Sequence, residues 1–208
     1  MSGNDFYSLL FYLYFLDQNI FVIMSSTNTK RIEFFCNNRF HHEYKLANIR
    51  GNIDFTSKYP YNSDGFHKWC NYLSNKFYKE EEKWYDKWNS NLAQSVYKLS
   101  EPVPCHSEFY KYIHWHNNAF YVTDTAMNLP TKVLYYEDFA KNMDKTLQEV
   151  TDFLEMDLVG KGIDFHYHTY KDYFTQSEKE LTIAYMKLMS SPTTWKHLER
   201  YIGEYVQS

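Results

Sequence analysis

Two short apolar runs constrain this chain more than anything else in it. Ile20-Phe-Val-Ile-Met24 and Pro130-Thr-Lys-Val-Leu-Tyr-Tyr136 are compact, branched and aromatic. Such runs suit strands covered on both faces, the habit of parallel sheets. Most other periodic segments read as helix. Two strands make a poor sheet on their own. The chain is therefore either unusually helical or a piece of a larger sheet, and an α/β class follows from strands separated by helical segments.

The helical segments are well marked. From Phe66 to Trp88, the residues Trp69, Tyr72, Leu73, Phe77, Trp84 and Trp88 recur near helical spacing. The Lys79–Lys83 run reads as that helix's solvated face. Glu108 to Thr125 carries Phe109, Tyr112, Ile113, His116 and Phe120. Asp144 to Glu155 carries one stripe of Leu147, Val150, Phe153 and Leu154. Thr175-Gln-Ser-Glu178 is a capping box that predicts a helix to about Met189. Pro192 marks the start of a last helix with Trp195, Leu198 and Tyr201 on one side. Lys30 to Ala47 is mixed and predicted helical at first. Asn48–Gly65 and Asn89–Ser107, with their Pro and Gly, read as loops. Phe6 to Leu16 reads as a buried helix before a polar turn.

Composition narrows the function. The chain has 208 residues, enough for one domain with a real core. Aromatics reach 20%, with 21 Tyr and 16 Phe, so an aromatic core is expected. A net charge of −4 argues against a nucleic-acid partner and leaves room for one local anion pocket. Neither N-terminal apolar piece reaches the roughly 20 residues of a membrane helix, so membrane insertion is not expected. Cys36, Cys70 and Cys105 have no CxxC spacing and are read as buried free thiols. His41-His42, His114-x-His116 and His166-x-His168 read as surface or core-edge histidines, because no HExxH or Cys/His set accompanies them. No metal site is expected.

Several pieces, taken in order, resemble the sulfotransferases that use a nucleotide sulfate. Lys132-Val-Leu-Tyr-Tyr-Glu-Asp-Phe139 resembles that family's strand followed by Tyr-Glu-Asp-Leu. Thr146 to Leu154 resembles its next helix, which ends in an aromatic-Leu pair. Tyr170-Lys-Asp-Tyr-Phe-Thr175 is similar to Trp-Lys-x-x-Phe-Thr, and Tyr185-Met-Lys-Leu-Met189 to a closing Tyr-x-x-x-Met. The likeness covers Leu129 to Met189. A looser one, upstream, is to the branch that includes the WSC-domain sulfotransferases.

The resemblance implies a truncated or diverged P-loop-NTPase-like fold with few parallel strands and mostly helix. It implies a single sulfotransferase-like domain over 1–208 whose N-terminal phosphate-loop portion is missing. An active member would move a sulfuryl group from 3′-phosphoadenosine-5′-phosphosulfate to a hydroxyl or amine acceptor, without a metal. Tyr136 matches the Tyr of Tyr-Glu-Asp, Lys161-Gly162 the phosphate-gripping Lys-Gly, and Lys171 the later Lys. These four residues are the expected nucleotide grip. No Gly-rich loop with a Lys precedes the first strand, Ser25-Ser26 stand where an Arg is wanted, and no His precedes His41. No catalytic residue can therefore be assigned. An inactive sulfotransferase-like binding module or a gene fragment is the alternative, and a helical metal- or partner-binding protein the third reading.

Overall fold

A computed structural model describes the backbone at residues 13–15, 20–25, 34–88, 91–160 and 171–201, with side chains at 36–76, 94–135, 137–160 and 171–201. In chain order the elements are β1 (Leu13–Phe15), β2 (Ile20–Ser25), α1 (Phe34–Ile49), α2 (Ile53–Lys58), α3 (Ser63–Trp88), α4 (Asn91–Ser100), α5 (His106–Phe120), a π-helical turn (Tyr121–Ala126), β3 (Thr131–Tyr135), α6 (Tyr136–Lys141), α7 (Met143–Phe153), α8 (Gln176–Met189), α9 (Pro192–Leu198) and a closing 3-10 turn (Glu199–Tyr201). The described chain is mostly helical. It forms two compact units, one of residues 1–32 with 119–169 and one of residues 33–118 with 170–208.

The first unit holds the strands. β2 pairs in parallel with β3, and the register runs from Phe21↔Thr131 to Ser25↔Tyr135. Parallel neighbours need a long crossover, and here α1 to α5 intervene in the chain. β1 pairs antiparallel on the other side of β2. The reading of Phe6–Leu16 as one helix is corrected here, because Leu13–Phe15 is strand. Three residues are too few to show a period, and pairing with β2 decides their state. Behind β3, Leu134 and Leu154 are buried together with Phe139, Val150 and Phe153 around them. Of the stripe predicted for α7, Val150, Phe153 and Leu154 belong to this cluster, while Leu147 is half-buried outside it. Asn142 caps α7 by accepting from the Lys145 amide at 3.0 Å.

The second unit is built on an aromatic cluster. Phe40 of α1 lies 5.6 Å from Phe66 and 5.4 Å from Trp69, both on α3. Tyr173, just before α8, stacks on Phe66 at 5.1 Å, and Phe174 meets Phe66 edge-on at 5.3 Å. Beside the cluster sits a polar network. Glu108 of α5 is 3% exposed and is held by Arg39 of α1 and by Lys111 at 3.0 Å. Arg39 also pairs with Glu43 at 3.1 Å, and Glu43 accepts from the Trp69 indole at 2.8 Å. Thr175 and Glu178 form the expected capping box at the head of α8, and Ser191 caps α9 with Pro192 at its start.

Three expectations change in this unit. The loop expected over Asn48–Gly65 contains α2, entered through a tight corner at Gly51. The Gly51 and Asn52 amides donate back to the Asn48 and Ala47 carbonyls at 3.1 and 2.8 Å, and Gly51 takes φ +65. The loop expected over Asn89–Ser107 contains α4, which buries Val96. Finally, Cys70 and Cys105 are joined in a disulfide across 35 residues, and only Cys36 is free. Both bridged cysteines are buried, each 1% exposed. Burial was foreseen and pairing was not, since no spacing rule brings two cysteines that far apart together.

Closing a 35-residue loop stabilises by about 4 kcal/mol in the chain-entropy picture. Reduction under native buffer is therefore expected to lower the midpoint of thermal unfolding by roughly 10 °C, and Cys70→Ala with Cys105→Ala should reproduce the loss without reductant. Differential scanning calorimetry with and without dithiothreitol checks it; an unchanged midpoint would mean that the bridge holds nothing.

Candidate functional site

The structure places the expected nucleotide residues unevenly. Tyr136 is the first residue of α6, directly after β3, and its side chain lies outside the described residues. Lys161 and Gly162 also lie outside them. Lys171 is exposed, with its ammonium 5.6 Å from the centre of the Tyr173 ring. Tyr136 belongs to the first unit and Lys171 to the second. Glu137 and Asp138 stand in the first turn of α6, where negative charge suits the helix dipole. Of the cations nearest the missing Arg, Lys30 and Arg31 lie outside the described residues. Arg39 is engaged by Glu43 and Glu108.

Of the histidine pairs, His166 and His168 lie outside the described residues. His114 is exposed and stacks on Tyr110 at 5.6 Å, while His116 is buried among the apolar residues of α5. Among the described residues no group of three or more His, Cys, Asp or Glu is arranged to hold a metal. No helix among them is long and apolar enough to cross a membrane.

What the second unit does form is a groove between α1, α2 and α3. α3 is two-faced. Phe66, Trp69, Cys70 and Leu73 turn inward and are buried. Lys68, Asn71, Tyr72, Asn75 and Lys76 fall at i, i+3, i+4, i+7 and i+8 and line the groove. Tyr72 was expected in the core stripe, but it is 43% exposed. α2 supplies the facing wall with Phe55 and Lys58, and Tyr59 follows it. The Lys58 ammonium lies 5.3 Å from the Tyr59 ring and 5.5 Å from the Tyr72 ring. This bridge divides the groove into a cavity of about 530 Å³ and one of about 360 Å³, both touching Lys58, Tyr59 and Tyr72. Sequence reasoning missed the groove. Its one sequence signal was the polar half of the α3 spacing, which resembles any solvated helix face.

Two buried groups show how burial shifts chemistry in this unit. Burial pushes the Cys36 thiol well above the usual thiol range, so it stays protonated and unreactive. Burial also lowers His116 to about 4, with nearby His197 adding to the shift and a hydrogen bond to the Tyr112 carbonyl opposing it. His116 Nδ1 donates that bond at 2.8 Å. Its Nε2 has no partner among the described residues, so protonation would bury an unpaired charge.

The chain was compared with protein-family profiles, curated proteins and solved structures, and it matches none of them.

His116 carries a pH prediction. Its folded value, about 4, lies below the ordinary 6.5, so the unfolded chain binds the proton first. The stabilisation is complete above pH 6.5, falls as pH drops, and is gone below about 4. Its size is of the order of 3 kcal/mol. Denaturant titrations between pH 7 and 4 should show that slope in the wild type and a flatter one in His116→Phe. Equal slopes would remove His116 as the cause.

Proposed function

We propose that the chain is a sulfotransferase-like protein that binds a 3′-phosphorylated adenine nucleotide at the C-terminal edge of its parallel strands. The observation that carries this reading is the register of β2 with β3. Ser25 stands level with Tyr135, so both strands end together. Tyr136-Glu137-Asp138 begins at that edge as the first turn of α6. Ligands of parallel α/β sheets bind outside the carboxyl ends of the strands. The resembling segments also fall on matching elements: strand then helix for Tyr-Glu-Asp, α7 for the Phe153-Leu154 helix, and a capped α8 with Tyr185 and Met189 buried.

In an active form, the acceptor's oxygen or nitrogen would attack the sulfur of 3′-phosphoadenosine-5′-phosphosulfate. The bond from sulfur to the phosphate oxygen would break, 3′,5′-adenosine bisphosphate would leave, and the acceptor's proton would pass to solvent. Within the first unit, Tyr136 would pack near the base, with Lys161 and Gly162 toward the phosphates. No metal takes part in this scheme. A second reading is a non-catalytic binding module on the same scaffold. Arg39 favours it, since two carboxylates already occupy its guanidinium.

Isothermal titration calorimetry with 3′,5′-adenosine bisphosphate tests the nucleotide site. Saturable binding is expected, weakened about tenfold in Tyr136→Ala and in Lys161→Ala. A folded sample that takes up no heat, or variants that bind as well as the wild type, would end this reading. Product formation with the donor and a panel of acceptors then separates enzyme from binding module.

A further inference from the structure

The larger cavity of the groove lies wholly within the second unit, so it is independent of the nucleotide reading. Three aromatic rings line it, those of Phe55, Tyr59 and Tyr72. Phe55 and Tyr59 stand 5.0 Å apart with their planes at 62°, and Tyr59 and Tyr72 stand 6.0 Å apart at 41°. Tyr59 is buried and Phe55 half-buried, whereas Tyr72 is exposed. Angled rings leave a corner between them, and the negative faces of that corner attract a cation. A cation is already there. The Lys58 ammonium lies 5.3 Å from the centre of the Tyr59 ring and 5.5 Å from that of Tyr72. Both distances fall inside the reach of about 6 Å for such a contact.

A primary ammonium suits this corner less well than a methylated one. It is strongly hydrated and keeps three N–H donors that ring faces satisfy poorly. A trimethylammonium group has no N–H to satisfy and brings methyl surface to bury. Lys58 also has another place to go. Asp54 precedes it by four residues on α2, the spacing and order at which an acid and a lysine pair along a helix. Asp54 lines the same cavity, and among the described residues its carboxylate has no partner. That pair is unmade while the ammonium rests on the rings. The other charges at the cavity are accounted for. Arg39 and Glu43 belong to the neutral network with Glu108 and Lys111, and Lys76 has a partner of its own.

We infer that Phe55, Tyr59 and Tyr72 form a cage for the trimethylammonium group of a small organic cation, with Lys58 as its internal occupant in the free protein. The ligand displaces the Lys58 ammonium from the tyrosine rings, and that ammonium then pairs with Asp54. A cavity of about 530 Å³ matches a small-molecule site.

The probe is choline, titrated into the full chain and followed by saturation-transfer NMR on its methyl signal. Saturable binding is expected. The uncharged isostere, in which carbon replaces the nitrogen, should bind at least about tenfold more weakly, because ring faces attract the charge and not the shape. Tyr72→Leu should weaken choline binding about tenfold. Lys58→Gln should strengthen it about threefold, since a site freed of its internal competitor is competent more of the time. Lys58 and Tyr72 are both exposed, so the unfolding midpoint should stay at the wild-type value in each variant. No saturable signal, an isostere that binds as well as choline, or an affinity indifferent to Tyr72→Leu would overturn the cage. An affinity that does not rise in Lys58→Gln would overturn the role of Lys58 as occupant. A peptide carrying trimethyl-lysine that binds more tightly than choline would overturn the assignment to a small free cation.

Discussion

The second unit depends on keeping one buried carboxylate neutralised. Glu108 is 3% exposed at the first turn of α5. Burying it alone would cost several kcal/mol, so Arg39 and Lys111 must be in place when α5 packs. Arg39 in turn is fixed by Glu43, and Glu43 by the Trp69 indole. The chain of contacts joins α1, α3 and α5 through side chains whose geometry leaves little slack. Losing Arg39 would strand Glu108, whereas losing Glu43 would leave the Trp69 N–H without its acceptor. The aromatic cluster of Phe40, Phe66, Trp69 and Tyr173 supplies the apolar burial. The polar network specifies which faces meet.

The disulfide fastens the same elements covalently. Cys70 lies one residue after Trp69 on α3, and Cys105 immediately precedes α5. The bridge therefore shortens the search for the arrangement that the Glu108 network requires. Disulfides of this kind persist in oxidising compartments, so the folding of this unit is tied to its redox surroundings. The remaining thiol, Cys36, is fully buried and stays out of exchange chemistry.

Much of this architecture was legible in the sequence wherever a local signal sufficed. β2 and β3 announce themselves as compact branched runs, and α5, α7, α8 and α9 by stripe, capping box or Pro at the start. Features set by distant contact were not legible. β1 is strand only because β2 pairs with it. α4 hides behind Pro102 and Pro104, which made the whole stretch resemble loop. Cys70 and Cys105 find each other only when α3 meets the turn before α5. The groove combines α3 residues spaced like an ordinary solvated face with Lys58 and Tyr59 from another element, so no window of sequence contains it. Tyr72 shows the difficulty most sharply: it continues an aromatic series, yet it lies about 100° around the helix from Leu73 and faces out.

Charge in the second unit falls into two kinds. An anion-binding arginine must keep part of its guanidinium unclaimed, because a phosphate gains only from donors and charge that nothing else satisfies. Arg39 already gives its Nε to Glu43 and its Nη1 to Glu108, so two carboxylates balance its charge. The network of Arg39, Lys111, Glu43 and Glu108 contains two cations and two carboxylates and carries no net charge. It can hold helices together, but it has little to offer an incoming anion. Lys58 is the opposite case. Aromatic faces position its ammonium without cancelling it, and it borders both cavities of the groove. Within the second unit the buried charges are therefore spent on structure, whereas Lys58 of α2 is a cation that aromatic faces hold at the groove.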